Sequence, residues 1–532
     1  MGDGVYRGKA RKPLRKRWPI FLVGLIGLVA AGYLYAHKPP NPDQAIFDYI
    51  GWIGSEGGHY YKDVAEQNFP GEMLLHDFAF RIFGTHYWAY RTLDYLLLLV
   101  GAASLVGLLK RAGQGTAAWA AGAAYVIGYI SSNGWMAGQR DPVAANLLLM
   151  AAYLFVLRLR GRGRGVIAPI GPVLFLALLL RPTFVMYVVA LPVLDFWWRK
   201  ETGRKPGTRI LDTLIIVGAM VGCLGILLGW GAAVGSLPDF REQAIQFNVQ
   251  AYQAGHSRMD TALRLLGGIG VYVWFLPAMI AALAWMRAGE RKAAPIVLLL
   301  GLAALSLVSA LVQNKGFGYH LGAILAPVFA LAGLGMWRAA NRLSQWRTVA
   351  AWQTALALAV FLLPVAGYLK QVKSLGPQLR LLFRIETESR MLDRETSGQA
   401  GLSWGQIAQL SAYARENTGP DETILVWGRP VGIHLLAKRR SSTRFITSGM
   451  LLLARPPFTG ASKWIAEFDA MLARRAPRLV MIEAQDGVPV FNPLDTGAGE
   501  HPMVKSLREA IRDRYRFVRA YGSMQIFRLN AP

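Results

Sequence analysis

The sequence predicts a mostly helical, polytopic transmembrane bundle of about eleven spans, followed by a C-terminal soluble α/β domain. Three observations lead there. Of 532 residues, 53% are hydrophobic and only 17% are charged, too apolar a balance for an ordinary soluble protein. Apolar runs approaching the roughly 20 residues needed to cross a bilayer recur along the first two thirds of the chain. From residue 401 the pattern changes to short amphipathic helices alternating with short apolar strands.

Taken in order, spans are expected near 19–36, 89–109, 115–132, 142–157, 166–180, 182–198, 210–236, 265–286, 293–312, 320–337 and 348–368. The pair separated by Arg181-Pro182 is one bent element or two. The first is expected to be a retained anchor, because "YLYAHKPP" is a poor cleavage site. The loops alternate in charge. "RGKARKPLRKR", "KRAGQG", "RLRGRGRG", "RKETGRKPGTR", "RAGERK" and "RAANRLSQWR" hold 24 Lys or Arg, which places them in the cytoplasm. The formal charge of +26 is therefore topology signal and attraction to anionic lipid, and a nucleic-acid partner is not expected. The other loops fall on the outer side, and all eight His on that side or at its edge.

Cys223 is the single cysteine, so no intramolecular disulfide forms. The layout expected is a basic cytoplasmic N-terminus over 1–18, a membrane module over 19–368, a helical connector over 369–400 and a periplasmic α/β domain over 401–532. In that domain "WGQIAQLSAYAREN", "SKWIAEFDAMLARR" and "VKSLREAIRDRY" read as helices. "ETILVWG" and "PRLVMIEA" read as strands, and "RFVRAYGSMQIFRLN" as two more. Glu483 and Asp486, at a strand end, read as ordinary polar residues.

The loop after the first span carries the most information. Pro42-Asp43 reads as a helix start with Asp43 as cap. Ile46, Phe47, Ile50 and Ile53 share a face, while Gln44, Asp48 and Ser55 point away. Pro70 opens a second helix with Met73, Leu74, Phe78 and Ile82 on one side. Both are expected to lie in the membrane interface, at about 43–84.

The order of motifs resembles the GT-C glycosyltransferases, polytopic enzymes that use polyprenyl-phosphate sugars, such as aminoarabinose transferases and protein mannosyltransferases. Asp43 matches their first acid, Tyr61-Lys62-Asp63 the second element and Pro70-Gly71 the third. Phe83-Gly84 and Arg91 open the second span. Asp141 in "GQRDPVAANLLLMAAY", the "FNVQAY" loop, and His320 and Pro327 in "GYHLGAILAPVFALAG" agree, as does the α/β tail. Gln44 replaces the family's second acid. Asn68-Phe69-Pro70 replaces its Lys-Pro-Pro, leaving the lysine's role toward donor phosphate vacant.

The resemblance implies an inverting transfer from a polyprenyl-phosphate sugar to a hydroxyl on a glycan, lipid or protein acceptor, with Asp43 as general base and Asp141 as a second catalytic acid. The leaving phosphate calls for cations at the outer interface. Arg181 interrupts about thirty apolar residues and is a functional candidate by that placement. Lys62, Asp63, Arg140, Lys315 and His320 complete the donor-site candidates. His59, His76, His86 and His256 have no familiar metal-ligand spacing, so a divalent metal is held open and no metal ligand is assigned. Rival readings are a secondary transporter, an oligosaccharide ligase and an inactive scaffold. The outer acidic loop and large tail favour an enzyme over a transporter.

Overall fold

The protein is described from a computed structural model, over residues 18–252, 257–287, 293–345, 350–399, 401–483 and 502–530. His256 and Asp486 lie outside these residues.

Each of the eleven expected segments is helical. In order they are α1 (Trp18–Ala36), then, after two helices of the first loop, α4 (Ala89–Arg111), α5 (Ala117–Ile130), α6 (Arg140–Leu159), α7 (Ile170–Leu180), α8 (Val185–Trp197) and α9 (Pro206–Ala233). The first-loop helices are α2 (Pro42–Ser55) and α3 (Gly71–Phe83). The bundle continues with α10 (Arg258–Gly270), α11 (Leu276–Ala284), α12 (Ala294–Gln313), α13 (Leu325–Leu343) and α14 (Ala351–Val372). The count of clear spans is smaller than expected. Among the described residues six helical stretches are long and apolar enough to cross a membrane, or seven if the pair bent by 55° around residues 271–272 is one span. The segments at 22–36, 117–130, 164–180 and 182–197 are apolar but short. The chain is a multi-pass membrane protein.

The two ends of the bundle differ. At one end Arg158 and Arg204 pair with Asp212, Arg204 also reaches Asp195, and Arg338 donates to Gln114 Oε1 at 2.8 Å. These are the basic loops. The opposite end carries α2, α3 and the tail.

The tail forms a four-stranded sheet of β3 (Ile424–Trp427), β4 (Leu479–Glu483), β6 (Met524–Leu529) and β5 (Tyr515–Tyr521), in that spatial order. β3 and β4 are parallel; the remaining pairs are antiparallel. Helices Trp404–Glu416, Ala461–Arg474 and Pro502–Arg514 fall where the sequence predicts them. The connector is not wholly helical. It ends in a strand, β1 (Thr396–Gln399), paired with β2 (Leu402–Ser403).

The first loop departs most from expectation. α2 is not laid against lipid; it is buried on nearly all sides between α3 and the tail. Phe47, Ile50 and Ile53 pack with Val431, Leu435 and Ile446. Gln44 and Asp48, expected to point away, are buried as well. Asp48 Oδ1 meets His76 Nδ1 at 2.8 Å, and His76 stacks on Tyr90 with ring centroids 3.6 Å apart. Burial opposes charge on His76, but hydrogen bonds to Asp48 and Glu72 raise its pKa overall, which offsets the cost of burying those carboxylates. On α3 it is Met73, His76, Ala79 and Phe80 that face inward, while Phe78 and Ile82 are exposed.

The tail clamps this loop. Trp404 Nε1 donates to the Pro40 carbonyl at 3.0 Å, Ser441 N to Tyr49 Oη at 2.9 Å, and Ala65 N to the Arg444 carbonyl at 2.8 Å.

Candidate active site

Asp43 does not cap α2. The cap is Asn41, whose Oδ1 accepts from Gln44 N at 2.8 Å. Asp43 stands in the first helical turn with its carboxylate left for other work. Its hydrogen bond among the described residues is from Gln139 Nε2 to Oδ2, at 3.2 Å.

Asp43 lines a small cavity at the tail-bearing end, together with Glu66, Asn68, Arg140, Arg181, Tyr252, Lys315 and His320. Five of the eight residues singled out in the sequence meet there: Asp43, Arg140, Arg181, Lys315 and His320. Asp141, the sixth, stands one shell out. It holds Arg181 in a two-pronged ion pair, Nε to Oδ1 at 2.8 Å and Nη2 to Oδ2 at 2.7 Å. A buried guanidinium paired in this way keeps its charge and a fixed direction.

Lys62 and Asp63 are not brought to the cavity. They line a separate cleft between the first loop and the tail. Lys62 Nζ donates to the Val234 carbonyl at 3.3 Å. Asp63 is 45% exposed and accepts from His59 N at 2.7 Å.

Several elements converge to build the site. The chain before α6 delivers Gln139, and the first residues of α6 are Arg140 and Asp141. Arg181 follows α7, and Lys315 follows α12. Two glycines make the close approaches. A Cβ on Gly71 would stand 2.5 Å from the Leu179 carbonyl carbon and 2.6 Å from Leu180 N, so only glycine lets α3 start against the end of α7. A Cβ on Gly322 would meet Pro142 Cδ at 2.4 Å. That contact seats the His320 turn on the start of α6.

The segment 61–68 is held by a clamp. Tyr61 has φ +68°, a left-handed conformation uncommon for a bulky residue. Its carbonyl accepts from Gln243 Nε2 at 2.8 Å and Arg444 Nη1 at 2.9 Å, and its hydroxyl donates to the Asn68 carbonyl at 2.7 Å. Gln243 Oε1 also accepts from Glu66 N at 2.9 Å. In the "FNVQAY" loop, Asn248 Nδ2 donates to the Gln67 carbonyl at 2.5 Å.

Glu66 and Tyr252 are site residues that the sequence reading missed. Glu66 is buried and accepts from Asn68 N and Nδ2, at 3.0 and 2.5 Å. Burial raises its pKa above the ordinary glutamate value. Lys315 Nζ lies 3.7 Å from the centroid of the Tyr252 ring, a cation–π contact. Burial first, then Arg140 and Arg181, lower its pKa to about 7. Arg140 donates to Asn68 Oδ1.

His59, His76 and His86 do not converge, and no group of three or more His, Cys, Asp or Glu among the described residues is arranged to hold a metal. Glu483 is buried and accepts from Arg429 N at 3.0 Å, a strand-end role within the tail.

No family model and no curated protein matches the sequence. Solved structures do match in shape. ArnT from Cupriavidus metallidurans bound to undecaprenyl phosphate aligns over 96% of this chain and 98% of its own, at 12% identity and a TM-score of 0.60. The same protein in the apo state aligns over 97% and 98%, at 12% identity and a TM-score of 0.57. The chain has the GT-C fold. The sequence pattern and the three-dimensional match therefore agree on the architecture. At 12% identity the likeness carries the GT-C fold alone, and chemistry must be argued from the side chains.

Proposed function

We propose that the chain transfers a sugar from a polyprenyl-phosphate donor to an acceptor hydroxyl, on the outer side of the cytoplasmic membrane. The observation that carries this reading is the cavity itself: three cations, Arg140, Arg181 and Lys315, gathered around Asp43 at the end of the bundle away from the basic loops. By the positive-inside rule that end faces outward. ArnT was solved with undecaprenyl phosphate bound, a ligand whose headgroup suits such a cluster.

The chemistry balances with these residues alone. Asp43 accepts the proton of the acceptor hydroxyl as the oxygen attacks the anomeric carbon. The new C–O bond forms on the face opposite the phosphate, so configuration inverts. The anomeric C–O bond to phosphate breaks, and its electron pair leaves on the phosphate oxygen. Arg140, Arg181 and Lys315 stabilise the charge that develops there. Phosphate is a good leaving group and needs no general acid, so one carboxylate suffices where a glycosidase uses two. Gln139 fixes the carboxylate, and Asp141 keeps Arg181 aimed and charged.

The test compares wild type with Asp43→Asn in nanodiscs across a panel of polyprenyl-phosphate sugars. Wild type should turn over, and the variant should bind donor yet lose about 10²–10⁴-fold in rate. Full activity in Asp43→Asn would remove the base assignment. Failure of every donor with wild type would favour the transport reading, for which flux assays in vesicles come next.

A further inference from the structure

The end of the bundle away from Asp43 carries an open groove. It lies where the C-terminal ends of α6 and α8 meet the chain leading into α9 and the start of α12. Among the described residues no Asp or Glu lines it, while Arg158, Arg160 and Arg204 do. Charge is out of balance in its wall, because Arg158, Arg204 and Arg209 share two carboxylates. Arg158 Nε reaches Asp212 Oδ2 at 2.8 Å, and Arg204 Nη2 reaches the same oxygen. Arg204 Nη1 reaches Asp195 Oδ2 at 2.7 Å, and Arg209 Nε stands 3.6 Å from Asp195 Oδ1. None of the three arginine side chains is more than 13% exposed. Three guanidinium groups against two carboxylates leave one sequestered positive charge. Arg160 adds another; it is exposed and donates to the Arg111 carbonyl. Such an excess is unfavourable until an anion meets it.

The rest of the lining is apolar or interfacial. Val156 and Leu194 lie one turn inside the ends of α6 and α8, and Val297 one turn inside the start of α12. The apolar part of the groove therefore runs from the helix ends toward the bilayer core. Trp198 and the 75% exposed Trp197 line it as well, and indoles, apolar in body with one polar edge, settle at headgroup level. A small soluble anion would answer the guanidinium groups and leave the apolar stretch bare. A phosphodiester that carries acyl chains answers both.

We propose that this groove holds an anionic glycerophospholipid of the adjoining leaflet, with its phosphodiester against Arg158, Arg160 and Arg204 and an acyl chain along Val156, Leu194 and Val297. By the positive-inside rule that leaflet is the cytoplasmic one, and basic pockets between spanning helices on that side suit anionic headgroups. Arginine presents two parallel donors to a phosphate, which fixes the head in place. The lipid braces α6 against α8, α9 and α12. Arg140 begins α6 and Lys315 follows α12, so two helices that frame the Asp43 cavity are held at their far ends. The site stands whether or not the reaction proposed above is correct.

The experiment uses the full chain, delipidated in maltoside micelles, and native mass spectrometry. The probes are dioleoyl phosphatidylglycerol, dioleoyl phosphatidylcholine and sn-glycerol 3-phosphate. Wild type should retain phosphatidylglycerol with about a tenfold or greater preference over phosphatidylcholine, and excess glycerol 3-phosphate should not displace it. Arg160→Gln combined with Trp197→Ala should weaken phosphatidylglycerol about fivefold or more. Neither change breaks a carboxylate pair, and a thermal midpoint equal to wild type in phosphatidylcholine would establish that the variant is folded. Should that midpoint fall, Trp197→Ala alone is read, with about a twofold or greater loss expected. Arg342→Gln, which alters an exposed arginine at the same end outside the groove, should leave binding unchanged. Equal binding of the two lipids overturns the proposal, as does a folded variant that binds like wild type. An equal loss in Arg342→Gln would reduce the effect to general surface charge and overturn it too. Displacement by glycerol 3-phosphate would make this a site for soluble phosphate and remove the lipid.

Discussion

Lys315 gives the donor site a pH signature that can be worked out in advance. In the empty cavity its pKa is about 7, because burial and the neighbouring Arg140 and Arg181 all oppose its charge. A phosphate bound as proposed, among the same three cations, reverses that balance, since an anion nearby favours the ammonium form. The bound pKa must then rise, and binding takes up a proton wherever pH lies between the two values. Affinity is greatest below pH 7 and falls as pH rises above it, by up to about tenfold, or ~1.4 kcal/mol, per unit. A phosphodiester donor carries one fixed charge over this range, so the ligand does not contribute the slope. Titration calorimetry in buffers of different ionisation enthalpy reads the proton directly. Uptake should be about half a proton at pH 7 and near one at pH 8. Asp43, Glu66 and His320 also face the cavity, so Lys315→Met is the control: it should bind more weakly at pH 6 and lose the slope. Wild type with no uptake at pH 8, or a slope retained by Lys315→Met, would refute the reasoning.

Two further outcomes follow from the ion pairs. Arg181→Gln leaves Asp141 buried without its partner and should cost about 3–5 kcal/mol. Adding Asp141→Asn should restore much of it, read as recovery of the thermal midpoint; a double variant no better than the single one would sink the pairing. Asp63→Asn should keep transfer within about twofold, since Asp63 is exposed and bonded to His59 away from the cavity. A tenfold loss in transfer assays would move Asp63 into the site.

What the sequence disclosed divides by the range of the interactions. The bundle was legible because hydropathy is local: every expected segment is helical, though the one at 265–286 is bent and fewer are long enough to be clear spans. The strands of the tail were legible for the same reason. Helix ends were less so: Asn41, not Asp43, takes the cap, because Pro42 already occupies the first helical position. The surroundings of α2 were not legible at all. Its partners Val431, Leu435 and Ile446 lie nearly 400 residues away, and no periodicity in the loop announces a tail that will cover it. Asp48 was read as pointing away on that account, and Glu66 was not singled out. Both are buried and hydrogen bonded. For Glu66 the one local signal was Asn68 two residues on, a short side chain able to fold back on it.

Asn68 marks a departure from the family pattern, and its surroundings differ from a lysine's. The position where the pattern has lysine holds an amide instead, yet a cation stands beside it. Arg140, from the start of α6, donates to Asn68 Oδ1 while Asn68 Nδ2 donates to Glu66. The amide thus joins a guanidinium to a carboxylate, which a lysine could not do, having donors only. Moving the cation from the loop to α6 changes how it is fixed. A loop lysine depends on its own rotamer, whereas Arg140 is anchored by helix packing, by Asn68 and by the face of Phe47, 5.7 Å from its guanidinium carbon to the ring centroid. Its neighbour Asp141 holds Arg181 from the same turn. One helix end therefore sets both guanidinium groups, and the loop contributes, through Asn68, the bracket that holds one of them.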